Sequence, residues 1–232
     1  MKKNLLITIS FLLLSFTVFA QASISGYTNF SPIFPMGEYK DVYDRTAWGG
    51  RLGVLVQPNK KLPVKLGVEL GYATQGFHTQ YYNSIGFSDF SDYRARARLN
   101  IFSGLFNLRL QSGTGKHAVD PFVEGMIGWN NFYGSTVLQG RNPAEDYSWD
   151  KIDRESTKGY WGLTYGGSGG FDIRLHKKEH YVSLELRISY LKGSKTKYYS
   201  NPSVDPNGYS SFTVNESTTD MLIPQIGFKF GL

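Results

Sequence analysis

Five charged side chains interrupt apolar, strand-like segments of this sequence. They are Arg51, Glu69, Glu124, Glu185 and Arg187. An isolated charge in a dry core costs too much free energy, so each of these groups needs an opposite charge or water nearby. Facing acids and bases inside a closed structure form either a gate or proton path, or a salt-bridged filling. Paired charges are the ordinary way to fill a polar interior, so the sequence favours the filling.

The register of one hairpin bears on these charges. If the turn PNKKL closes its hairpin symmetrically, Arg51 lies directly opposite Glu69 on an adjacent antiparallel strand. Opposed charges at such positions stabilise each other modestly, and more strongly where water is scarce. Asp172 and Arg174 are candidates to join the same network.

Three arginines alternate in the segment YRARARLN, which places Arg94, Arg96 and Arg98 on one face of a strand. A straight strand directs them outward, because Phe102 further along shares their parity. In that position their guanidinium groups would suit bidentate contacts with phosphate. A bulge near Ile101 would instead turn them inward, toward the acids of the interior. The sequence leaves both orientations open.

The four histidines do not form a recognisable catalytic set. His117, His176 and His180 lie in or beside short turns, and His78 lies in a long connection without the spacing of a hydrolase triad.

Acids between residues 145 and 153 alternate with bases, which is typical of a solvated loop rather than a calcium site. YGGSGGF and GTGKH lack the order of a phosphate-binding loop, and the chain has no cysteine. The sequence therefore predicts no enzyme activity, no metal and no cofactor.

Eight strand-like runs must position these residues. They cover roughly residues 22–31, 45–57, 63–75, 95–110, 118–132, 159–175, 180–192 and 219–231. In the third run, one face consists of the alternate residues Val64, Leu66, Val68, Leu70 and Tyr72. A soluble sandwich has the same alternation. Charges in the middle of the opposite face favour a barrel whose apolar face meets lipid and whose polar face lines the interior.

The connections between the runs alternate in length. Three short ones, around PNKKL, QSGTGKH and HKKE, have the composition of hairpin turns. The other four, at 32–44, 76–94, 133–158 and 193–218, are long and polar. An even number of strands with short turns at one end and long loops at the other is typical of a transmembrane β-barrel. Eight strands enclose an interior just wide enough for side chains, so no open channel is expected.

Large aromatic residues lie near the loop-side ends of these runs. They are Trp48, Tyr72, Trp129, Trp161 and Tyr190. Aromatic side chains favour the level of the lipid headgroups, so their placement indicates a girdle at one membrane interface.

The first 20 residues have the pattern of an export signal. The positive segment MKKN precedes the short apolar stretch LLITISFLLLSFTVF, and VFA precedes Gln21 as a cleavage site. The stretch is shorter than the ~20 residues of a membrane-spanning helix, which disfavours a permanent anchor. Cleavage would leave a barrel domain of residues 21–232 and lower the formal charge from +6 to +4. This charge is spread along an exported chain, so no nucleic-acid partner is expected.

From residue 21 to its end, the chain resembles the small eight-stranded outer-membrane β-barrel proteins of Gram-negative bacteria. The resemblance rests on the export signal, the eight runs and the ending IGFKFGL. In that family, alternating hydrophobic residues with a terminal aromatic form a recognition tag for the barrel-assembly machinery. The resemblance therefore implies an assembly signal at Phe228, Phe230 and Leu232, although the last of these is not aromatic.

These observations predict an all-β fold: a monomeric, eight-stranded, antiparallel up-and-down transmembrane β-barrel, closed by pairing the last run with the first. Its surroundings would be outer-membrane lipid and lipopolysaccharide, whose phosphates would meet the three arginines if these face outward. Four long extracellular loops rich in Tyr, Trp, Asn, Ser and Arg predict a structural or adhesive binding role. The alternatives are an accessory barrel of a secretion system, a lipid A-modifying enzyme and a soluble periplasmic ligand-binding barrel.

Overall fold

The computed structural model describes residues 22–59, 62–83, 92–111, 118–141, 148–175, 182–205 and 209–231. These residues form strands and one short helix. The elements are β1 (Ser23–Met36), α1 (Glu38–Val42), β2 (Ala47–Gln57), β3 (Val64–Asn83), β4 (Asp92–Gln111), β5 (Val119–Arg141), β6 (Trp149–Ser156), β7 (Tyr160–Arg174), β8 (Val182–Gly193), β9 (Thr196–Val204), β10 (Ser210–Ser217) and β11 (Asp220–Gly231). No helix within these ranges is long and apolar enough to cross a membrane.

Eight of the strands form a closed antiparallel ring in the order β1, β2, β3, β4, β5, β7, β8 and β11. The ring closes where β11 pairs with β1, from Ser25 opposite Gly231 to Met36 opposite Asp220. This pairing satisfies backbone groups that an open sheet would leave at its two edges. The predicted eight-stranded barrel, and its closure by the last and first runs, are confirmed.

The two ends of the barrel differ. Short connections join β2 to β3, β4 to β5 and β7 to β8 at one end, called here the turn end. At the opposite loop end, the four long connections predicted from the sequence contain secondary structure that was not predicted. Strands β1, β3 and β5 continue into those segments, and α1, β6, β9 and β10 form within them. The sequence hides this continuation because segments such as FHTQYYN have polar residues on both faces once they leave the apolar belt.

A four-stranded sheet continues beyond the barrel at the loop end. This upper sheet consists of residues 77–83 of β3, 92–99 of β4, 134–141 of β5 and all of β6. A register shift in β3 between Thr74 and Phe77 marks where it leaves the ring. The remaining hairpin, β9 with β10, packs against the inner face of the upper sheet, where Val204 and Phe212 contact Ala95 and Ala97.

Apolar side chains cover the outside of the ring between the turn end and the aromatic residues. Leu52 is 60% exposed, Val68 50% and Ile188 60%. From Val64 to Tyr72 this belt measures nine residues along β3, which matches the ~9–11 residues of a transmembrane strand. The predicted girdle residues point outward at its upper border, and Phe30 stacks on Trp48 with 5.8 Å between ring centroids. The belt has the height and the aromatic border of a membrane-spanning surface.

The interior of the ring has two layers. The half near the turn end is filled with charged and amide side chains, described below. The half near the loop end is apolar, and its core includes residues contributed by the ring, by α1 and by β9. We call this second layer the apolar plug, and its members are Ile33, Tyr39, Tyr43, Ala47, Ala73, Leu99, Ile101, Leu105, Met126, Phe132, Leu191, Tyr198, Met221 and Ile223.

Candidate functional site

The structure brings the five charged residues singled out in the sequence into one buried network. Arg187 lies at its centre and contacts Glu69, Glu124 at 3.1 Å and Glu185 at 3.7 Å. Arg51 joins through Glu69, with 2.6 Å between Nη1 and Oε1. All five lie at the positions of their strands that point into the barrel. Alternation along each strand is therefore sufficient to gather charges that are up to 136 residues apart in sequence.

One pairing within this network differs from the prediction. Arg51 lies opposite Gly71, and Glu69 lies opposite Gly53, so the two are diagonal neighbours rather than directly opposed. The connection keeps Leu62 near the end of β2, where its carbonyl accepts a hydrogen bond from the Gln57 side chain at 2.7 Å. This arrangement moves the pairing by two residues, which preserves the inward direction of both side chains.

A sixth member of the network, Arg109, was missed by the sequence analysis. Its Nε donates to Glu124 at 2.5 Å and its Nη1 to Glu185 at 2.8 Å, and its guanidinium lies 3.8 Å from the centre of the Phe122 ring. The signal was present, because Arg109 alternates with the outward residues Leu108 and Leu110 in β4. The register then places it directly opposite Glu124.

Neutral groups and a second set of charges complete the polar layer. The Tyr27 hydroxyl donates to Glu69 at 2.8 Å and accepts from the Asn107 amide at 2.9 Å. Nearer the turn end, Lys229 pairs with Asp172 at 2.5 Å, and Asp172 also lies 3.9 Å from Nη1 of Arg109, so it joins the network as predicted. Arg174, which was predicted to join the central network, instead lies 3.6 Å from Asp120.

The central network is balanced in charge. Three guanidinium groups face three carboxylates, namely Arg51, Arg109 and Arg187 with Glu69, Glu124 and Glu185. Their side chains are at most 3% exposed. Such a set can hold the strands together and exclude ions, because each charge already has its counterion within the barrel.

The apolar plug above this layer is held by contacts between loop-end elements. The Tyr39 ring of α1 packs edge-on against Tyr198 of β9, with 4.8 Å between centroids, and both contact Phe132. The Glu38 carboxylate accepts hydrogen bonds from Thr218, from its backbone nitrogen at 3.1 Å and its hydroxyl at 3.2 Å. These bonds lower the pKa of Glu38, since they favour its charged form. Elements α1 and β9 therefore contribute buried residues to the barrel interior at the loop end.

The three alternating arginines lie on the outer face of the upper sheet. The pairing of β4 with β5 is continuous from Tyr93 to Gln111, so β4 has no bulge near Ile101 and the inward orientation is wrong. Ala95, Ala97 and Leu99 are the residues that point inward and are buried. The bulge lies instead in β3, at the strand crossing where the upper sheet begins.

The arginine row is part of a wider basic face. Across the sheet, the arginines oppose the uncharged residues Phe77, Thr79 and Tyr81 of β3. On the other side they oppose Ser135, Val137 and Gln139 of β5, which in turn oppose Ser156, Arg154 and Lys151 of β6. Directly opposed residues share a face, so these five cations project from one surface, together with Arg141 and Asp92, which pair with each other at 3.6 Å. The acids of β6 lie at the alternate positions Asp150, Asp153 and Glu155 and therefore on the opposite surface.

Two of the arginines are held in place by neighbours. Arg94 donates to the Gln139 side chain at 2.8 Å and lies 4.2 Å from the centre of the Trp149 ring. Arg96 donates to the Thr79 hydroxyl at 3.3 Å. All three arginines are partly exposed. These contacts orient Arg94 and Arg96, and each guanidinium has more donors than the bonds named here use.

Among the residues that the structure describes, no catalytic set surrounds His78. His78 is exposed in the upper sheet, and neighbouring Thr79 points to the opposite face, toward Arg96. Asp92 pairs with Arg141 at 3.6 Å. Ser84 and Asp89, like His117, His176 and His180, lie outside the described residues. Within the residues that are described, no three His, Cys, Asp or Glu side chains gather as a metal site.

Two further sequence predictions concern the ends of the chain. Phe228 and Phe230 lie on the lipid-facing side of β11 and are 46% and 41% exposed. Leu232, the third residue of the predicted assembly signal, and the predicted export signal of residues 1–20 lie outside the described residues.

No protein-family model and no curated protein matches the chain. Solved structures do show similarity. Neisserial surface protein A is 8% identical, with 91% of this chain and 96% of that chain covered and a TM-score of 0.44. The outer membrane protein OprG of Pseudomonas aeruginosa is 15% identical (91% and 96% covered, TM-score 0.42), and the attachment invasion locus protein Ail of Yersinia pestis is 11% identical (91% and 97% covered, TM-score 0.39). Similarity at this level assigns no function.

The chain's own geometry does identify its surroundings. A closed antiparallel ring satisfies its backbone internally, its outer belt is apolar, and its charges lie inside. This combination is stable in a bilayer and would expose a continuous apolar surface in water. The protein is a transmembrane β-barrel of the outer-membrane type.

Proposed function

We propose that the protein is a sealed outer-membrane barrel that displays the basic face of the upper sheet as a binding surface for anionic groups outside the cell. Its role is then structural and adhesive rather than catalytic. The observation that carries this proposal is the single-sided distribution of charge. Six cations and one acid, Asp92, project from the outer surface of the upper sheet, whereas the acids of β6 alternate to the other surface.

The phosphate groups of lipopolysaccharide are the ligands that best fit the arginine row. Arg98 lies four residues above Phe102 at the girdle, roughly 13 Å along the strand at about 3.3 Å per residue. The row therefore begins just above the lipid headgroups and continues away from the membrane. Guanidinium groups bind phosphate through paired hydrogen bonds, and the aromatic neighbours Trp149 and Tyr81 offer flat surfaces for sugar rings.

The filled interior of the barrel suits this role. The charged network and the apolar plug would keep the barrel rigid and closed to ions, which suits a membrane anchor for an exposed sheet. We further propose that residues 1–20 direct export and are cleaved, leaving a barrel of residues 21–232. The last strand, with Phe228, Phe230 and Leu232, would be the part that the barrel-assembly machinery recognises.

The proposal is tested by replacing the arginine row. The triple variant Arg94→Gln, Arg96→Gln and Arg98→Gln should insert into vesicles as the wild type does but bind lipopolysaccharide more weakly. Each lost charged hydrogen bond is worth about tenfold in affinity, and the wild-type affinity should fall with added salt. A matched variant, Asp150→Asn with Asp153→Asn and Glu155→Gln, changes three charges on the opposite surface and should not weaken binding. Equal affinity of the arginine variant and the wild type would contradict the proposal.

A further inference from the structure

Four cations of the upper sheet form two columns on its outer surface, one column in β4 and the other in β6. We call them the cation grid, and its members are Arg94, Arg96, Lys151 and Arg154. In β5, between the columns, Gln139 opposes the first cation of each column and Val137 opposes the second. Neighbouring strands are about 4.8 Å apart, so the columns are separated by roughly 10 Å, and the two alternate cations of β4 by roughly 7 Å.

A bulge in β6 determines which charges reach this surface. The pairing of β6 with β5 shifts by one residue at Ile152, so that Lys151 lies opposite Gln139. Without the shift, alternation would direct Lys151 to the inner surface and Asp150 to the outer one. Bulges re-aim side chains and are common beside functional sites. The bulge therefore places a base on the outer surface where regular pairing would place an acid.

Two aromatic rings border the grid. The centre of the Trp149 ring lies 4.2 Å from Cζ of Arg94, and the ring meets Tyr81 edge-on, with 6.1 Å between centroids. Arg94 also donates to the Gln139 side chain at 2.8 Å, which ties the β4 column to the strand between the columns. The Tyr81 ring is 60% exposed, and Val137 is partly exposed. A flat apolar surface beside polar groups suits the C–H face of a sugar ring.

The height of the grid determines which part of a ligand can reach it. Phe102 pairs with Tyr72 at the aromatic girdle, and Arg96 lies six residues further along β4, roughly 20 Å at about 3.3 Å per residue. A strand tilted by about 40° rises roughly three-quarters of that distance, or ~15 Å. The headgroup region of a bilayer is only ~5–7 Å thick on each side. The grid therefore lies above phosphates that are attached to lipid, at the level of sugars that extend from the membrane.

We infer that the cation grid binds the phosphorylated sugar part of lipopolysaccharide through two phosphates about 10 Å apart. One phosphate would lie between the two cations of β4 and the other between the two cations of β6, because cations about 7 Å apart can both reach one anion. The sugar framework would cross the uncharged side chains of β5 and pack against Tyr81. The nearby acid Asp92 is already paired with Arg141 at 3.6 Å. The inference rests on the proposed function and narrows it to one part of the ligand and to the end of the arginine row away from the membrane.

The test uses the mature protein in lipid nanodiscs and a soluble disaccharide that carries one phosphate on each sugar ring. Isothermal titration calorimetry compares its affinity with that of the same disaccharide carrying a single phosphate. The wild type should bind the doubly phosphorylated form about tenfold more tightly, the scale of one charged hydrogen bond. Lys151→Gln with Arg154→Gln should remove this preference but leave the affinity for the single phosphate nearly unchanged, because the β4 column still binds it. Lys195→Gln with Lys197→Gln, which removes two exposed cations elsewhere at the loop end, should keep the preference.

A second arm identifies the source of the saccharide. Nanodiscs that contain lipopolysaccharide with a phosphorylated core should bind the soluble disaccharide about tenfold more weakly, because the grid is already occupied. Lipopolysaccharide without core phosphates should not compete. An equal effect of the two lipopolysaccharides would overturn the assignment to the sugar part.

Equal affinity of the wild type for the two disaccharides would overturn the inference, as would a preference that survives the loss of Lys151 and Arg154. Hexanediol bisphosphate, which separates two phosphates without a sugar, should bind more weakly than the doubly phosphorylated disaccharide, and equal binding would also overturn the inference. These outcomes leave the proposed function intact if the triple arginine variant still binds lipopolysaccharide more weakly than the wild type. Equal binding of lipopolysaccharide by that variant would instead contradict the proposed function itself.

Discussion

The two layers of the barrel interior are equally buried but are built in different ways. Near the turn end, every member of the charged network comes from a strand of the ring. Near the loop end, the apolar plug depends on Tyr39 from α1 and Tyr198 from β9, which are insertions between ring strands. The first layer is therefore part of the barrel, whereas the second is partly a separate piece that docks into it.

This difference predicts different responses to damage. Charges in the lower layer share partners, so the loss of one leaves others buried without a counterion. In the upper layer, the loss of an aromatic ring removes packing contacts but leaves no buried charge without a partner. Elements α1 and β9 can then move toward water. The lower layer should therefore control the stability of the whole barrel, and the upper layer should control the order of the loop end.

The largest effect is expected from Arg187→Met. Glu69, Glu124 and Glu185 would lose their shared partner, and breaking a buried ion pair from one side typically costs about 3–5 kcal/mol. Urea unfolding of the vesicle-inserted protein measures the loss. Ile188→Ala, which truncates the neighbouring lipid-facing residue, serves as the control and should cost much less. A change within about 1 kcal/mol for Arg187→Met would show that the network does not hold the strands.

A smaller and more local effect is expected from Tyr198→Ala. The substitution removes a buried ring that packs on Tyr39 and Phe132, and such truncations cost about 3 kcal/mol where the site can partly collapse. Hydrogen exchange should accelerate in α1, β9 and β10 while the ring strands keep their protection. Tyr198→Phe loses only the hydrogen bond to Ser217 at 3.0 Å, worth about 1 kcal/mol. Acceleration throughout the ring would mean that the two layers are not separable.

The smallest effect concerns the contact between Glu38 and Thr218. Its hydrogen bonds lower the pKa of the carboxyl group in the folded state. The stabilisation that this contact gives to α1 is therefore complete above the ordinary carboxyl pKa. It is lost as the pH falls through the lowered pKa that Glu38 has in the folded state. Hydrogen exchange in α1 should increase slightly on acidification to pH 3, and Glu38→Gln should abolish this pH dependence. An unchanged pH response in that variant would exclude Glu38 as its source.

Alternation along each strand was sufficient to predict which charged residues of the lower layer point inward, but it did not give the register that makes Arg51 and Glu69 diagonal neighbours. Glu69, Glu124 and Arg187 each alternate with apolar residues along their strands, which indicated that their side chains point inward. Closure of the ring then brings the three side chains together. Arg109 followed the same rule and was overlooked. The upper layer could not be predicted in this way, because Tyr39 and Tyr198 reach the interior through the docking of insertions, which no periodicity records.

The outer face of the upper sheet could be predicted from the sequence only in part. The parity of Arg94 and Phe102 in β4 was compatible with an outward row, but the sequence left the inward orientation equally open. The position of the bulge, at Gly76 in β3 rather than near Ile101 in β4, required the pairing of strands to be known. The basic face itself depends on the register of β6 with β5, which lies across a connection outside the described residues.

The most direct test of the whole account is a cysteine scan of β3, because the chain contains no native cysteine. Single cysteines at each position from 64 to 82 would carry a spin label in vesicle-inserted protein, and collisions with oxygen in the lipid phase would be measured. We expect strong lipid contact at Leu66, Val68, Leu70 and Tyr72, little at the intervening positions, and a change to aqueous contact from Phe77 onward. Uniform aqueous contact across residues 64–72, or lipid contact without alternation, would contradict a membrane-spanning barrel that continues into an exposed sheet.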